Sequence, residues 1–547
     1  MENKYWPIYA KGTESLIPTM LNRKEVTHIA NQTRKHQYHL YLLLLFSFIP
    51  FLLSAQSPIS TPPKRELRGV WVATVVNIDW PSKPGLSTDQ QKQELLRLLD
   101  AHQRAGMNAI FLQVRPSADA LYAKGIEPWS RFLNGSQGQA PSPFYDPLDF
   151  AIQEAHSRGM ELHAWFNPYR ASFDLDQSHI SPQHITKLHP EWFFIYSGKK
   201  LFNPGLPEVQ QYITKVIMSV VRNYDIDGIH FDDYFYPYPA KGQHIADYQA
   251  FIKYGTGFRN IDDWRRNNVN TLIHNLSDSI HHAKRYLKFG ISPFGIWQNK
   301  NQHPNGSETS GLSAYSALYA DAVTWLKNGW IDYINPQLYF PFHNRAAGFE
   351  KLSVWWNANA YGKHVYAGQA AYRAAENSTG WSERSQLPNQ IRYIRNLQNI
   401  KGSVYFSSKS IVNNLGGFRD SLQYNFYRFR ALPPNMPWID SIPPRPPMEL
   451  VYHVLNTGGI SLNWKRPDVA IDGEGAYGYV IYRFNEGEEV DLTNAQNILD
   501  IIYDATRTFY TDLSVRKGIQ YTYVVTAIDR IKNESVPSNL QIIQLAN

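Results

Sequence analysis

Aspartates crowd the segment Asp225-Ile226-Asp227-Gly228-Ile229-His230-Phe231-Asp232-Asp233-Tyr234, where apolar residues alternate with polar ones. A strand's period of two puts Gly228, His230 and Asp232 on one face and Asp227, Ile229, Phe231 and Asp233 on the other. With Ile229 and Phe231 packed on helices, His230 and Asp232 face a barrel axis, and Asp232 emerges at the C-terminal end of the strand. A carboxylate there could act as nucleophile or base in glycoside cleavage, whose oxocarbenium-like transition state needs negative charge beside it. That chemistry takes two carboxyl groups, about 5–5.5 Å apart for retention and about 6.5–9.5 Å for inversion. Asp233 ranks first as the acid because it opens the next loop and can turn back to the same mouth. Glu127, in Gly125-Ile126-Glu127-Pro128-Trp129-Ser130, ranks second, Asp119 third, with Asp79 and Glu191 as further candidates.

A metal reading of Asp225, Asp227, His230, Asp232 and Asp233 meets two objections. Alternation sends them to different faces, and no HxxxH or HExxH completes a zinc set. No phosphate-cradling glycine motif stands at a strand–helix junction and no GxSxG elbow is present, so neither cofactor nor metal is expected.

Other polar groups recur where strands should end, in Gln113-Val114-Arg115-Pro116-Ser117-Ala118-Asp119, His163-Ala164-Trp165-Phe166-Asn167-Pro168-Tyr169-Arg170, Ser292-Pro293-Phe294-Gly295-Ile296-Trp297, Asn335-Pro336-Gln337-Leu338-Tyr339, and at Gln369 and Tyr372. Arg115, Asp119, Asn167, Tyr169, His230, Trp297, Asn335, Gln337 and Tyr339 are expected to grip a polyhydroxylated chain, whereas Trp71 and Trp165 read as core. Trp80, Trp129, Tyr169, Tyr234, Tyr236, Trp297 and Tyr339 are placed to stack on sugar faces.

A ring of such groups needs a scaffold that brings many strand ends to one side. Eight apolar runs, 67–75, 108–114, 160–166, 227–232, 288–292, 331–337, 364–370 and 403–407, alternate with amphipathic stretches at 88–105, 146–158, 208–223, 262–286, 313–327, 346–359, 388–399 and 411–428. Eight βα units make a (β/α)₈ TIM barrel over 56–431. Helix-to-strand links are short, whereas 115–145, 167–207 and 233–261 are long strand-to-helix links, so the catalytic face is the elaborated one. Seven prolines in 432–447 mark a stiff linker, and short alternating runs in 448–547 predict a small all-β immunoglobulin-like sandwich. Its core tryptophan would be Trp464 and its corner tyrosine Tyr521 or Tyr523, and it is read chiefly as a spacer, with envelope proteins as its possible partners.

Residues 1–55 hold the apolar run 40–53, preceded by Arg34 and Lys35 and followed by Ser54-Ala55-Gln56, the layout of an export signal or, less readily, an anchor. The chain is therefore expected in the periplasm or cell envelope. The 547 residues carry +7, of which 1–55 contribute six basic and three acidic residues, leaving +4, too little to argue for nucleic acid. Without cysteine there are no disulfides, thiolate metal sites, thiol nucleophile or lipid-modified N-terminal cysteine.

Taken in order, RGVWVATVVNIDWP, FLQVRPSADALY, EPWS, DPLDFAIQEAHSRGMELHAWFNPYR, NPGLPEV, DGIHFDDYFYP, GISPFGIW and NPQLY resemble the glycosyl-hydrolase-like family 10 domain over about 64–430. The C-terminal segments are similar to a fibronectin type III domain. The first resemblance implies a TIM-barrel envelope hydrolase of peptidoglycan glycan strands freed of peptide, or of a related amino-sugar polymer. DGIHFD also resembles the DGFRxD nucleophile motif of α-amylase barrels, with Asp232 at the nucleophile position, His230 in place of arginine and no glutamate after the fifth strand. Chitinase-like DGxDxDxE fits less well, because Tyr234 holds the acid position. The rival readings are a non-catalytic carbohydrate-binding wall scaffold and a metal-dependent polysaccharide-modifying enzyme.

Overall fold

Leu67–Val72, Ala109–Arg115, Glu161–Phe166 and His364–Gln369 bury every residue, as strands covered on both faces must. In the computed structural model, which describes residues 62–176, 178–456 and 458–546, they belong to a closed barrel of eight parallel strands. We number all strands in chain order: β1 (Leu67–Val72), β2 (Ala109–Arg115), β3 (Glu161–Phe166), β4 (Phe193–Tyr196), β5 (Lys199–Phe202), β6 (Gly228–Phe231), β7 (Lys288–Ile291), β8 (Tyr333–Ile334), β9 (His364–Gln369) and β10 (Ile400–Tyr405). The barrel runs β1-β10-β9-β8-β7-β6-β3-β2 and closes between β2 and β1, while β4 and β5 form a separate antiparallel hairpin in the loop after β3. The expected apolar run 40–53 lies outside the described residues. Among the described residues no helix is long and apolar enough to cross a membrane.

Helix signals in the sequence are used as chemistry requires. Ser87 and Gln90 form a reciprocal capping box at the start of Thr88–Arg104, and Asp146 caps Pro147–His156, whose first residue needs no N–H. Gly106, at φ +79°, ends the first of these in a left-handed turn.

Large rings rather than aliphatic layers fill the barrel interior, where Trp71, Phe111, Trp165, Tyr333 and Tyr366 cluster. Glycines opposite make the room. A Cβ on Gly228 would overlap the His163 imidazole, and one on Gly290 would overlap the Tyr333 ring. Gly290→Ala is therefore expected to cost about 1–3 kcal/mol in urea unfolding, and a variant as stable as the parent would show the interior to be loosely packed.

A directed chain of hydrogen bonds runs through these rings. The Trp71 indole can only donate, so His230 Nε2 accepts from it at 3.1 Å, leaving His230 Nδ1–H to donate to the Tyr333 hydroxyl at 3.1 Å. Tyr333 in turn donates to His163 Nδ1 at 3.0 Å, and His163 Nε2–H to Glu161 at 3.1 Å. Burial holds both imidazoles below the usual histidine range, consistent with two neutral rings.

Beyond the barrel come β11 (Met448–Val454), β12 (Ile460–Lys465), β13 (Gly478–Asn485), β14 (Ile498–Ile502), β15 (Phe509–Asp512), β16 (Gln520–Ile528) and β17 (Gln541–Gln544). They form a three-stranded sheet β11-β12-β15 and a four-stranded sheet β14-β13-β16-β17 that share one core around Leu462, Trp464, Ile481 and Val525. Tyr523 donates its hydroxyl to the Asp512 carboxylate at 2.8 Å, so it does not make the main-chain bond of a tyrosine corner.

The spacer reading is corrected. Leu432 pairs with the chain before β1, Met436 and Ile531 enter the barrel's interior cluster, and Trp438 donates to Asp332 at 3.1 Å. Lys532, fully buried on the turn after β16, lies 3.2 Å from Glu161 and 3.8 Å from Asp227. The proline-rich segment and the sandwich together seal the N-terminal face of the barrel.

Candidate active site

β6 delivers its last residues to the opposite, C-terminal face. Ile229 and Phe231 pack outward among the helices, which turns His230 and Asp232 inward as the alternation requires. Asp232 is almost fully buried and accepts from the Trp165 indole at 3.1 Å, the Asn167 amide at 3.0 Å and the Tyr234 N–H at 3.2 Å. Burial pushes its carboxyl up to about 7; Arg170 works against the rise, and the neighbouring Asp233 adds to it. Asp233 accepts from the Tyr238 hydroxyl with Gln337 beside it, yet burial still keeps its pKa above the ordinary aspartate value. Burial, and then the Asp233 charge, raise the Tyr238 phenol far above its usual range, so it stays a donor.

Both carboxyl groups open onto a cleft of about 430 Å³ whose wall includes Trp71, Trp165, Tyr234, Tyr238, Tyr339 and Tyr372. Gln113 ties in the loop after β1, its amide oxygen accepting from the N–H groups of Thr74 and Val75 at 3.0 and 2.9 Å. That loop carries Val76 at φ +49° to the rim, a conformation a β-branched residue adopts only under constraint.

The expected site residues divide sharply. Asp232, Asp233, Gln337 and Tyr339 come together on the cleft, and Asn167 stands behind Asp232 as its donor. Glu127 does not join them. It is sealed in a two-pronged pair with Arg115, at 2.7 and 2.6 Å, and accepts from Tyr212 at 3.2 Å. Arg115 is likewise no substrate ligand, because its remaining donor holds the carbonyls of Asn167 and Pro168 at 2.7 and 3.1 Å. It thereby positions the residue that positions Asp232. Asp119 is buried against Gln137 and the Ser117 N–H, and burial raises it to about 6 away from the cleft. Tyr169 and Asn335 are buried off the cleft, and His230 lies beneath it in the interior chain.

Trp297 is also removed from the cleft, stacked on Trp355 at 5.7 Å with its indole toward Asp321. Of the rings expected to meet sugars, Trp80 and Tyr236 are core as well, and Tyr234 and Tyr339 line the cleft. Asp79 is occupied by the Ala73 N–H, Ser407 and the Lys409 N–H, and Glu191 is exposed beside His189. The metal-like cluster is dispersed, with Asp225 paired to Arg530 and Asp227 to His156. Trp71 and Trp165 are core, as expected, and in addition floor the cleft, while Arg170, Lys199 and Tyr238, which the sequence did not single out as site residues, line it.

The family described as glycosyl hydrolase-like 10 matches residues 66–383. The chain is 42% identical over 496 residues to glycosyl hydrolase YngK of Bacillus subtilis (strain 168), covering 90% of this chain and 94% of the relative. It is 39% identical over 330 residues to glycosyl hydrolase DigH of Escherichia coli (strain K12), covering 57% of this chain and 74% of that relative.

Proposed function

We propose, from the premise that this chain belongs to the glycosyl hydrolase-like 10 family and is a glycoside hydrolase, that it cleaves peptide-free peptidoglycan strands outside the cytoplasm. The observation that carries the chemistry is the pair Asp232 and Asp233, buried side by side at a strand end on an aromatic-walled cleft. In this reading Asp232 is the nucleophile or base, kept in place by Trp165 and Asn167, and Asp233 is the acid that protonates the leaving oxygen. Tyr234, Tyr339 and Tyr372 offer ring faces and hydroxyls to the sugars. The apolar run 40–53 behind a basic flank supports export, and the ordered motifs that resemble envelope hydrolases support the substrate.

Incubation of the purified protein with peptide-free strands should release new reducing ends, and their absence would remove the proposed substrate. The pH profile tests the roles. A base must be ionised, so on an activated aryl glycoside, which needs no proton from Asp233, kcat/KM should fall as pH drops through about 7, where Asp232 takes up its proton. The Asp233 charge contributes to that high value, so Asp233→Asn should move the acidic limb to lower pH on an aryl glycoside whose leaving group needs no protonation. A limb that stays put takes Asp232 out of the base role.

A further inference from the structure

Two cations on the cleft wall have no ion-pairing carboxylate and no hydrogen-bond acceptor from protein among the described residues, although Asp232 and Asp233 feel the charge of Arg170. Arg170 follows β3, where its N–H donates to the Asn167 side chain at 2.8 Å and its backbone bridges to Leu201 of β5. The N–H groups of Ala171 and Ser172 both donate to the Lys200 carbonyl, at 3.0 and 3.1 Å, so the β4–β5 hairpin is laid along this segment. Lys199, the first residue of β5 after the left-handed turn at Ser197 and Gly198, is thereby held on the same cleft as Arg170.

The Arg170 guanidinium lies 4.6 Å from the centre of the Tyr234 ring and the Lys199 ammonium 5.1 Å from that of Phe173. Arg170 is only 7% exposed. Among the described residues, no carboxylate is within ion-pairing distance of either cation, and neither side chain donates a hydrogen bond to protein. Burial, and then the charge of Arg170, lower the Lys199 ammonium below the usual lysine range, as expected for two cations sharing a wall.

Asp232 and Asp233 offset Arg170 at longer range, but two like charges without a hydrogen-bond acceptor in a half-desolvated cavity are still costly, and neutral hydroxyls do not require them. We infer that Arg170 and Lys199 form a subsite for a carboxylate carried by the glycan itself, on a sugar bound in the same cleft as Asp232 and Asp233. This rests on the reading of the cleft as a glycan-cleaving site. In a peptide-free strand, the lactyl group of every second sugar supplies that carboxylate; an amide-linked peptide removes its charge and adds bulk. The two cations would then select strands whose acid groups are free.

The test uses one strand preparation in two forms, with its carboxylates free or converted by carbodiimide coupling to neutral methylamides. The full chain should cleave the acid form with kcat/KM at least about tenfold higher. Lys199→Gln should reduce kcat/KM more on the acid form than on the amide form, through KM. Equal rates of the parent protein on both forms, or equal losses in the variant, overturn the subsite. Calorimetry with uncut acid and amide oligomers separates this from the wider reading. If neither form yields reducing ends, the proposed substrate falls, and the subsite stands on tighter acid binding that Lys199→Gln abolishes or falls on its absence.

Discussion

Asp232→Asn is expected to lower kcat on peptide-free strands by roughly a thousandfold or more, while leaving a folded protein at least as stable at neutral pH as the parent. The loss follows from geometry: an amide cannot take a proton or attack, and although its oxygen can keep the Trp165 and Asn167 donors, its NH2 then faces the Tyr234 N–H, one lost hydrogen bond set against a charge no longer buried. The stability claim follows from linkage. Asp232 titrates near 7 in the folded chain against about 3.8 when exposed, so its contribution is fully present at acid pH and is lost as pH rises between those values. Asparagine has no charge to desolvate, and the variant should lack that part of the pH slope. Single-turnover release of reducing ends and urea titrations from pH 4 to 8 provide the two readouts. More than about a tenth of the parental rate would move the chemistry to another carboxyl group. A large fall in stability at neutral pH would mean that the lost activity reported misfolding.

The barrel was legible because a parallel strand buried on both faces leaves little choice of residue, as in Ala109-Ile110-Phe111-Leu112-Gln113-Val114, and because short links such as Ala105-Gly106-Met107 announce each return. Asp232 was legible because alternation fixes which side a strand residue faces, and Asp233, which alternation alone would send to the other face, because it opens the loop that turns back to the cleft. Glu127 and Arg115 were misread for a specific reason. An arginine that holds a loop carboxylate and one that holds a ligand look alike in sequence, and only the closed bidentate pair distinguishes them. Trp165 is core as expected, yet a ring almost wholly buried can still present its N–H to a carboxylate such as Asp232, which the sequence does not show.

Two signals were present and underused. Phe193-Phe194-Ile195-Tyr196-Ser197-Gly198-Lys199-Lys200-Leu201-Phe202 has the turn pair and β-rich flanks of a hairpin inside what was read only as a long loop. The prolines of 432–447 are interleaved with Leu432, Met436, Trp438 and Ile439, large apolar residues that an exposed spacer has no use for.

Lys532→Met should cost about 3–5 kcal/mol of unfolding free energy at neutral pH, because it removes one cation from a buried group of balanced charge. Lys532 and Lys288 face Glu161 at 3.2 and 2.5 Å, and Lys532 also faces Asp227 at 3.8 Å. Burial alone would raise Glu161, but Lys288, then Lys532, and the His163 bond hold it at about 2. That depressed value contributes stability above about 4.5, lost as pH falls toward 2. Without Lys532 the carboxylates have too little positive charge beside them, and protonation becomes an escape. The deficit of the variant should therefore be largest at neutral pH and shrink as pH falls toward 4. Adding Glu161→Gln should recover part of it, since the surplus negative charge is then gone. A deficit below about 1 kcal/mol, unchanged by pH, would show that water already screens the group and that the sandwich docks through its other contacts, Ile531 and the Arg530–Asp225 pair among them. The effect need not end at the seal, because Glu161 is also the lower end of the chain through His163, Tyr333 and His230 to Trp71, which floors the cleft. A lysine contributed by the sandwich would in this way help set the rigidity of the cleft floor.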